Sequence, residues 1–124
     1  MKKVAPKPTD AELSILQALW RKGPSTLKEV HREVFPPAGY GTVQKFLSIM
    51  MDKGLVRRDT SNWPCVYEAA YSEEQIQQNL VTGLLKKAFG GSPAKLLMQA
   101  LASNKTSAEE IASIRRLCEK HKKS

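Results

Sequence analysis

Gly41, Thr42, Gln44, Lys45 and Ser48 fall within one short segment and offer an amide, an ammonium, two hydroxyls and a stretch of bare backbone. Their chemistry is recognition rather than bond making. A glutamine amide pairs with the donor–acceptor edge of adenine, a lysine reaches guanine or a phosphate, and a threonine methyl meets the methyl of thymine. Lys53, Arg57 and Arg58, slightly further on, are phosphate contacts by type and place. Taken singly, each of these residues is also what an ordinary solvated helix face carries, so the set acquires meaning from the element that presents it.

Groups that would make or break bonds are not arranged to do so. The only histidines, His31 and His121, stand far apart, and no general base, oriented nucleophile and oxyanion site can be assembled around either, so no enzymatic activity is expected. His31 reads as a surface group or phosphate contact rather than a ligand. Cys65 and Cys118 form no Cys-x-x-Cys or Cys/His cluster, which indicates neither a disulfide framework nor a metal site, and no cofactor or small-molecule ligand is suggested. Cys118 reads as a small hydrophobe on the last helix, and Gly90-Gly91-Ser92, without the lysine of a phosphate loop, as a hinge between helices.

The elements that must position the polar set follow from capping boxes and periodicity. Thr9 to Glu12 opens a helix whose Leu13, Leu16, Leu19 and Trp20 share a face until Gly23-Pro24. Thr26 to Glu29 opens a second, with Leu27, Val30 and Val34 inward and Pro36-Pro37 as its stop. Val43, Phe46, Leu47 and Met50 recur at helical spacing in a third, closed by Gly54, and the polar set lies on its other side. The period then changes. Leu55 to Arg58 and Cys65 to Tyr71 flank a turn-rich stretch and predict a β-hairpin with Trp63-Pro64 near its tip.

Helical spacing returns after Ser72. Boxes at Ser72 to Gln75 and Ser107 to Glu110, with Ser92-Pro93 between them, predict three further helices carrying Leu80, Leu84, Leu96, Leu97, Leu101, Ile111, Ile114 and Leu117. That is more apolar surface than short helices bury alone, so these residues are expected to pair two copies of the chain; folding back as a monomer's core is the alternative. The fold class is mainly α with a small β-hairpin wing. A winged helix-turn-helix over residues 1–71 is followed by a helical dimerisation region over residues 72–124.

Composition agrees and excludes much else. A chain of 124 residues, 41% hydrophobic and 26% charged, is one domain or two very small ones. No window approaches the roughly 18 to 20 apolar residues of a membrane span. The start of the chain, Met1-Lys2-Lys3 followed by Val4-Ala5-Pro6-Lys7-Pro8, has no apolar run for a signal peptide, and a reducing cytoplasm is the expected setting. The net charge of +8 favours an acidic partner such as nucleic acid, although the basic residues are spread along the chain, with local surpluses at Lys2-Lys3-Lys7 and in the tail.

Pro8-Thr9-Asp10-Ala11-Glu12-Leu13, Leu19-Trp20, Tyr40-Gly41-Thr42-Val43-Gln44, Lys53-Gly54-Leu55-Val56 and Gly90-Gly91-Ser92-Pro93 occur in one collinear order. In this the chain resembles the penicillinase repressor family (BlaI/MecI/CopY-type regulators) from about Pro8 to about Leu117. The resemblance implies a homodimeric repressor binding inverted-repeat operator DNA, and it adds Tyr40 to the candidate contacts. Three departures stand out. Met98-Gln99-Ala100 replaces the Asn-Phe bond cut in some relatives, which argues against proteolytic induction, and the paired Cys-x-Cys motifs of the copper-responsive branch are missing. Ile49 stands where many relatives are basic, and the Trp63-Pro64-Cys65 tip lacks a cation, leaving a protein-interaction module without specific DNA binding as the alternative.

Overall fold

The computed structural model describes residues 5–34 and 36–122; Met1 to Val4, and with them the Lys2-Lys3 surplus, lie outside the described residues, as do Lys123 and Ser124. Helices α1 (Asp10–Lys22), α2 (Leu27–Glu33) and α3 (Tyr40–Lys53) precede a hairpin of β2 (Val56–Asp59) and β3 (Val66–Ala69), and α4 (Glu73–Ala88), α5 (Pro93–Ser103) and α6 (Ala108–Lys122) follow. A two-residue strand, β1 (Ser25–Thr26), also pairs antiparallel with β3, so the hairpin is part of a three-stranded sheet of order β1-β3-β2. Such a short strand carries no periodicity, and the sequence shows only the helix that Thr26 goes on to cap.

The chain divides into two compact units, residues 1–82 and 83–124. The division falls inside α4, where Ile76 is buried in the first unit's core and Leu80 packs against that core. In the first unit Ile15, Leu16 and Leu19 of α1, Val30 of α2, Val43, Leu47 and Met50 of α3, and Leu55, Val56 and Tyr67 of the sheet region close around one another. The inner face of α1 is centred on Ile15, Leu16 and Leu19, with Leu13 and Trp20 flanking it, half-buried. The Trp20 indole N–H donates to the Tyr71 carbonyl at 3.0 Å and ties the end of α1 to the chain leaving β3.

A buried carboxylate adds a polar contact between α1 and α3. Glu12 is only 2% exposed, accepts the Thr9 N–H at 3.0 Å as half of the α1 capping box, and takes the Lys53 ammonium at 2.6 Å. The last residue of α3 is thus held to the first turn of α1. Burial pushes the Glu12 carboxyl up, but the Lys53 ammonium and the Thr9 donors outweigh it and hold the group below its ordinary 4.5. Beyond Lys53, Gly54 takes a left-handed φ of 80°, and the Leu55 N–H returns to the Met50 carbonyl at 2.8 Å, turning the chain from α3 into β2.

Because the folded carboxyl titrates lower than the unfolded one, its stabilisation is complete above about 4.5 and is lost as pH falls through the folded value. Urea unfolding at stepped pH should show this acid-sensitive component in the wild type and not in Glu12→Gln; identical acid profiles would exclude the pair as its source. At neutral pH, Lys53→Ala strands the buried carboxylate and should cost about 2–4 kcal/mol.

Candidate nucleic-acid interface

Helix α3 separates its residues sharply. Val43, Leu47 and Met50 have no accessible surface, whereas Tyr40, Gly41, Thr42, Gln44, Lys45 and Ser48 are exposed on the other side. Ile49 shares that exposed side at 38% accessibility, and Asp52 ends it. The displayed surface is therefore short, polar and held by a fully buried opposite face. Lys45 makes no ion pair among the described residues and points its charge to solvent.

The approach to α3 is fixed by His31. Its Nε2–H donates to the Ala38 carbonyl at 2.8 Å, and its ring meets the Tyr40 ring edge-on, with centroids 5.6 Å apart. His31 thus orients the loop before α3 and the first residue of the helix. This role depends on a contact seven residues away that sequence spacing does not reveal. Five helices begin with a Ser or Thr side chain bonded to their first-turn backbone, but α3 begins at Gly39 with no side-chain cap.

In the wing, register decides which cations are available. Arg58 lies opposite Tyr67 and Val56 opposite Ala69, so Arg58 is on the face of the sheet whose Val56 and Tyr67 are buried, and β2 packs against α3. Arg58 is nonetheless exposed and has no ion pair among the described residues. Arg57, on the opposite face, is paired across the strands with Glu68 at 3.2 Å. Lys53, expected as a phosphate contact, already has a partner: its ammonium is held by the buried Glu12 and also reaches the Lys7 carbonyl at 3.4 Å, with 30% of the side chain exposed. The α3 set and Arg58 are thus exposed, whereas Arg57 is paired with Glu68 and Lys53 with Glu12.

The family model described as "Penicillinase repressor" matches residues 8–120. The chain belongs to the penicillinase repressor family. The penicillinase repressor of Bacillus licheniformis is 24% identical over 124 residues, 98% of this chain and 96% of its own length. Among solved structures, the monomeric form of Bacillus licheniformis BlaI in complex with the blaP half-operator is similar at 26% identity and a TM-score of 0.51, over 60% of this chain and 93% of that one. A MarR family protein from Bacillus stearothermophilus shares the fold at 21% identity and a TM-score of 0.52, over 95% of this chain and 75% of its own.

In the second unit, no residue of α5 or α6 is buried. Leu84, Leu101, Ile111 and Leu117 are 44%, 38%, 42% and 57% exposed, and Met98 is 61% exposed, while Leu96, Leu97 and Ile114 are half-buried. Leu80 differs from the rest of the expected pairing set by packing against the first unit's core.

Gly41 sits inside a helix with open space where a Cβ would stand, so nothing in the protein itself requires a glycine there. Gly41→Ala should raise stability by about 0.5–1 kcal/mol through the gain in helix propensity, read as a higher urea midpoint. A lower midpoint would mean that the start of α3 depends on the missing side chain.

Proposed function

We propose that this chain is a transcriptional repressor that lays α3 in the major groove of operator DNA and acts as a homodimer on an inverted-repeat site, in the cytoplasm. The observation that carries this reading is the division of α3 into a face without accessible surface and a polar face displayed whole. Membership of the family and the likeness to BlaI on its half-operator support duplex DNA as the occupant of that face. An α-helix fits a major groove about 12 Å wide, and from that face Gln44 reaches adenine, Lys45 guanine or phosphate, and the Thr42 methyl thymine. Tyr40, Gly41 and Ser48 line the same approach, and Arg58 meets the flanking phosphate, joined by Arg57 when DNA draws it from Glu68.

The exposed apolar residues of the second unit are assigned to a second copy. Leu84, Leu96, Leu97, Leu101, Ile111, Ile114 and Leu117 leave too much apolar surface in water for one copy, and a two-fold pairing presents two recognition helices to two half-sites. Tethering turns the second half-site contact into a local one and raises its effective concentration. No step of this reading calls for a cofactor, a metal or catalysis.

Anisotropy titration against duplex from upstream of the chain's own gene, beside a shuffled duplex and at two salt concentrations, tests the DNA half. Preference for the upstream duplex with a steep salt dependence is expected, and Thr42→Ala with Lys45→Ala should abolish the preference and leave the oligomer intact. Equal binding to both duplexes would reduce the charge of +8 to non-specific affinity, and no binding would favour an interaction module. For the assembly, sedimentation should show a dimer that Leu117→Glu converts to monomer; a wild-type monomer at micromolar concentration would overturn the pairing.

A further inference from the structure

The bulkiest side chain of the wing has no role in the recognition just described. Trp63 is 90% exposed at the hairpin tip, more than any other large apolar residue described, and its neighbours Thr60, Ser61, Asn62 and Pro64 are exposed and smaller. Leaving an indole in water forgoes the burial that an aromatic of this size ordinarily gains. The tip is also shaped rather than loose. The Asp59 carboxylate accepts the Ser61 N–H at 2.9 Å and the Ser61 hydroxyl, which sets the turn that leads into Trp63.

The charge of the wing does not extend to its tip. Arg57 and Arg58 are matched by Asp59 and Glu68 on the same two strands, one arginine is already paired, and the tip residues 60–65 carry no charge. Arg58 can meet a phosphate, but the uncharged tip beyond it cannot, whereas an indole gains from any surface that is apolar with acceptors at its edge. The minor groove is such a surface: it is about 6 Å wide, walled by deoxyribose, and floored by adenine N3 and thymine O2 acceptors. The arm from Val56 to Asp59 carries the tip about 10 Å beyond the buried end of β2, the strand that follows α3 directly.

We propose that Trp63 docks in the minor groove flanking the half-site, its ring against the sugar wall and its indole N–H toward the acceptors of the groove floor. This rests on the DNA reading above and assigns the wing a contact that is apolar where that of α3 is polar. Its signature is independence of salt. A phosphate contact contributes about one unit of slope in log K against log salt, and a buried ring contributes none.

The test uses the full-length protein and the upstream duplex in anisotropy at several salt concentrations. Trp63→Ala should weaken binding about tenfold with an unchanged salt slope, Trp63→Phe should restore part of the loss, and Arg58→Ala should lower the slope by about one. In parallel, the tryptophan emission lost in Trp63→Phe should become shielded from acrylamide when duplex is added. Unchanged affinity in Trp63→Ala, or a Trp63 still quenchable at saturating duplex, overturns the proposal. So does shielding that follows protein concentration without DNA, which would make a second copy the occupant. A wild-type protein that binds no duplex overturns the DNA reading itself, a failure distinct from that of a protein that binds and ignores Trp63.

Discussion

A carboxylate with 2% of its surface exposed must find its partners inside the protein, and Glu12 finds them at both ends of the recognition module. Its own helix supplies the Thr9 N–H, and α3 supplies the Lys53 ammonium. Removing the Lys53 ammonium leaves the buried carboxylate without a counter-charge, so the pair favours the arrangement in which the end of α3 meets the start of α1. The apolar core fixes which face of α3 is hidden, but apolar packing is non-directional. The ion pair adds the direction. Because Gly54 and the return bond from Leu55 to Met50 follow at once, the strand that starts the wing takes its position from the same anchor.

From that anchor the functional surface follows in sequence. His31 shapes the entry to α3, the buried triplet Val43, Leu47 and Met50 turns the polar residues outward, and sheet register sets Arg58 opposite Tyr67 and Arg57 opposite Glu68. Exposed ion pairs such as Arg57–Glu68, or Arg21 and Lys22 with Glu33, add little stability. Their importance lies in deciding which cations remain available to a partner. Two lysines close in sequence to the same surface therefore have opposite fates, Lys45 facing solvent and Lys53 held by Glu12.

Much of this was legible because its causes are local. The boxes Thr9/Glu12, Thr26/Glu29, Ser72/Gln75 and Ser107/Glu110 all form as their three-residue spacing requires, and Gly54 closes α3 in the left-handed conformation that glycine favours. The buried and exposed sides of α3 follow from helical period alone. What could not be read depends on partners distant in the chain. Lys53 looked like any basic residue near a wing because Glu12 lies 41 positions away. Two residues of β1 leave no pattern, and Leu80 shares the spacing of Leu84 although the first core claims it. The Arg57–Glu68 pair is intermediate: once the hairpin register is known, the two residues must face each other.

The order β1-β3-β2 leaves β2 with one unpaired edge. An open strand edge is a template on which another chain can add, and the usual protection is charge on the edge itself. Of the four residues of β2, Arg57, Arg58 and Asp59 are charged, and only Val56, at the buried end, is not. The arginines therefore guard the monomer against sheet extension whether or not DNA is present. Engineering the wing toward apolar residues would leave a sticky margin, so the two arginines proposed to meet phosphate also protect this edge.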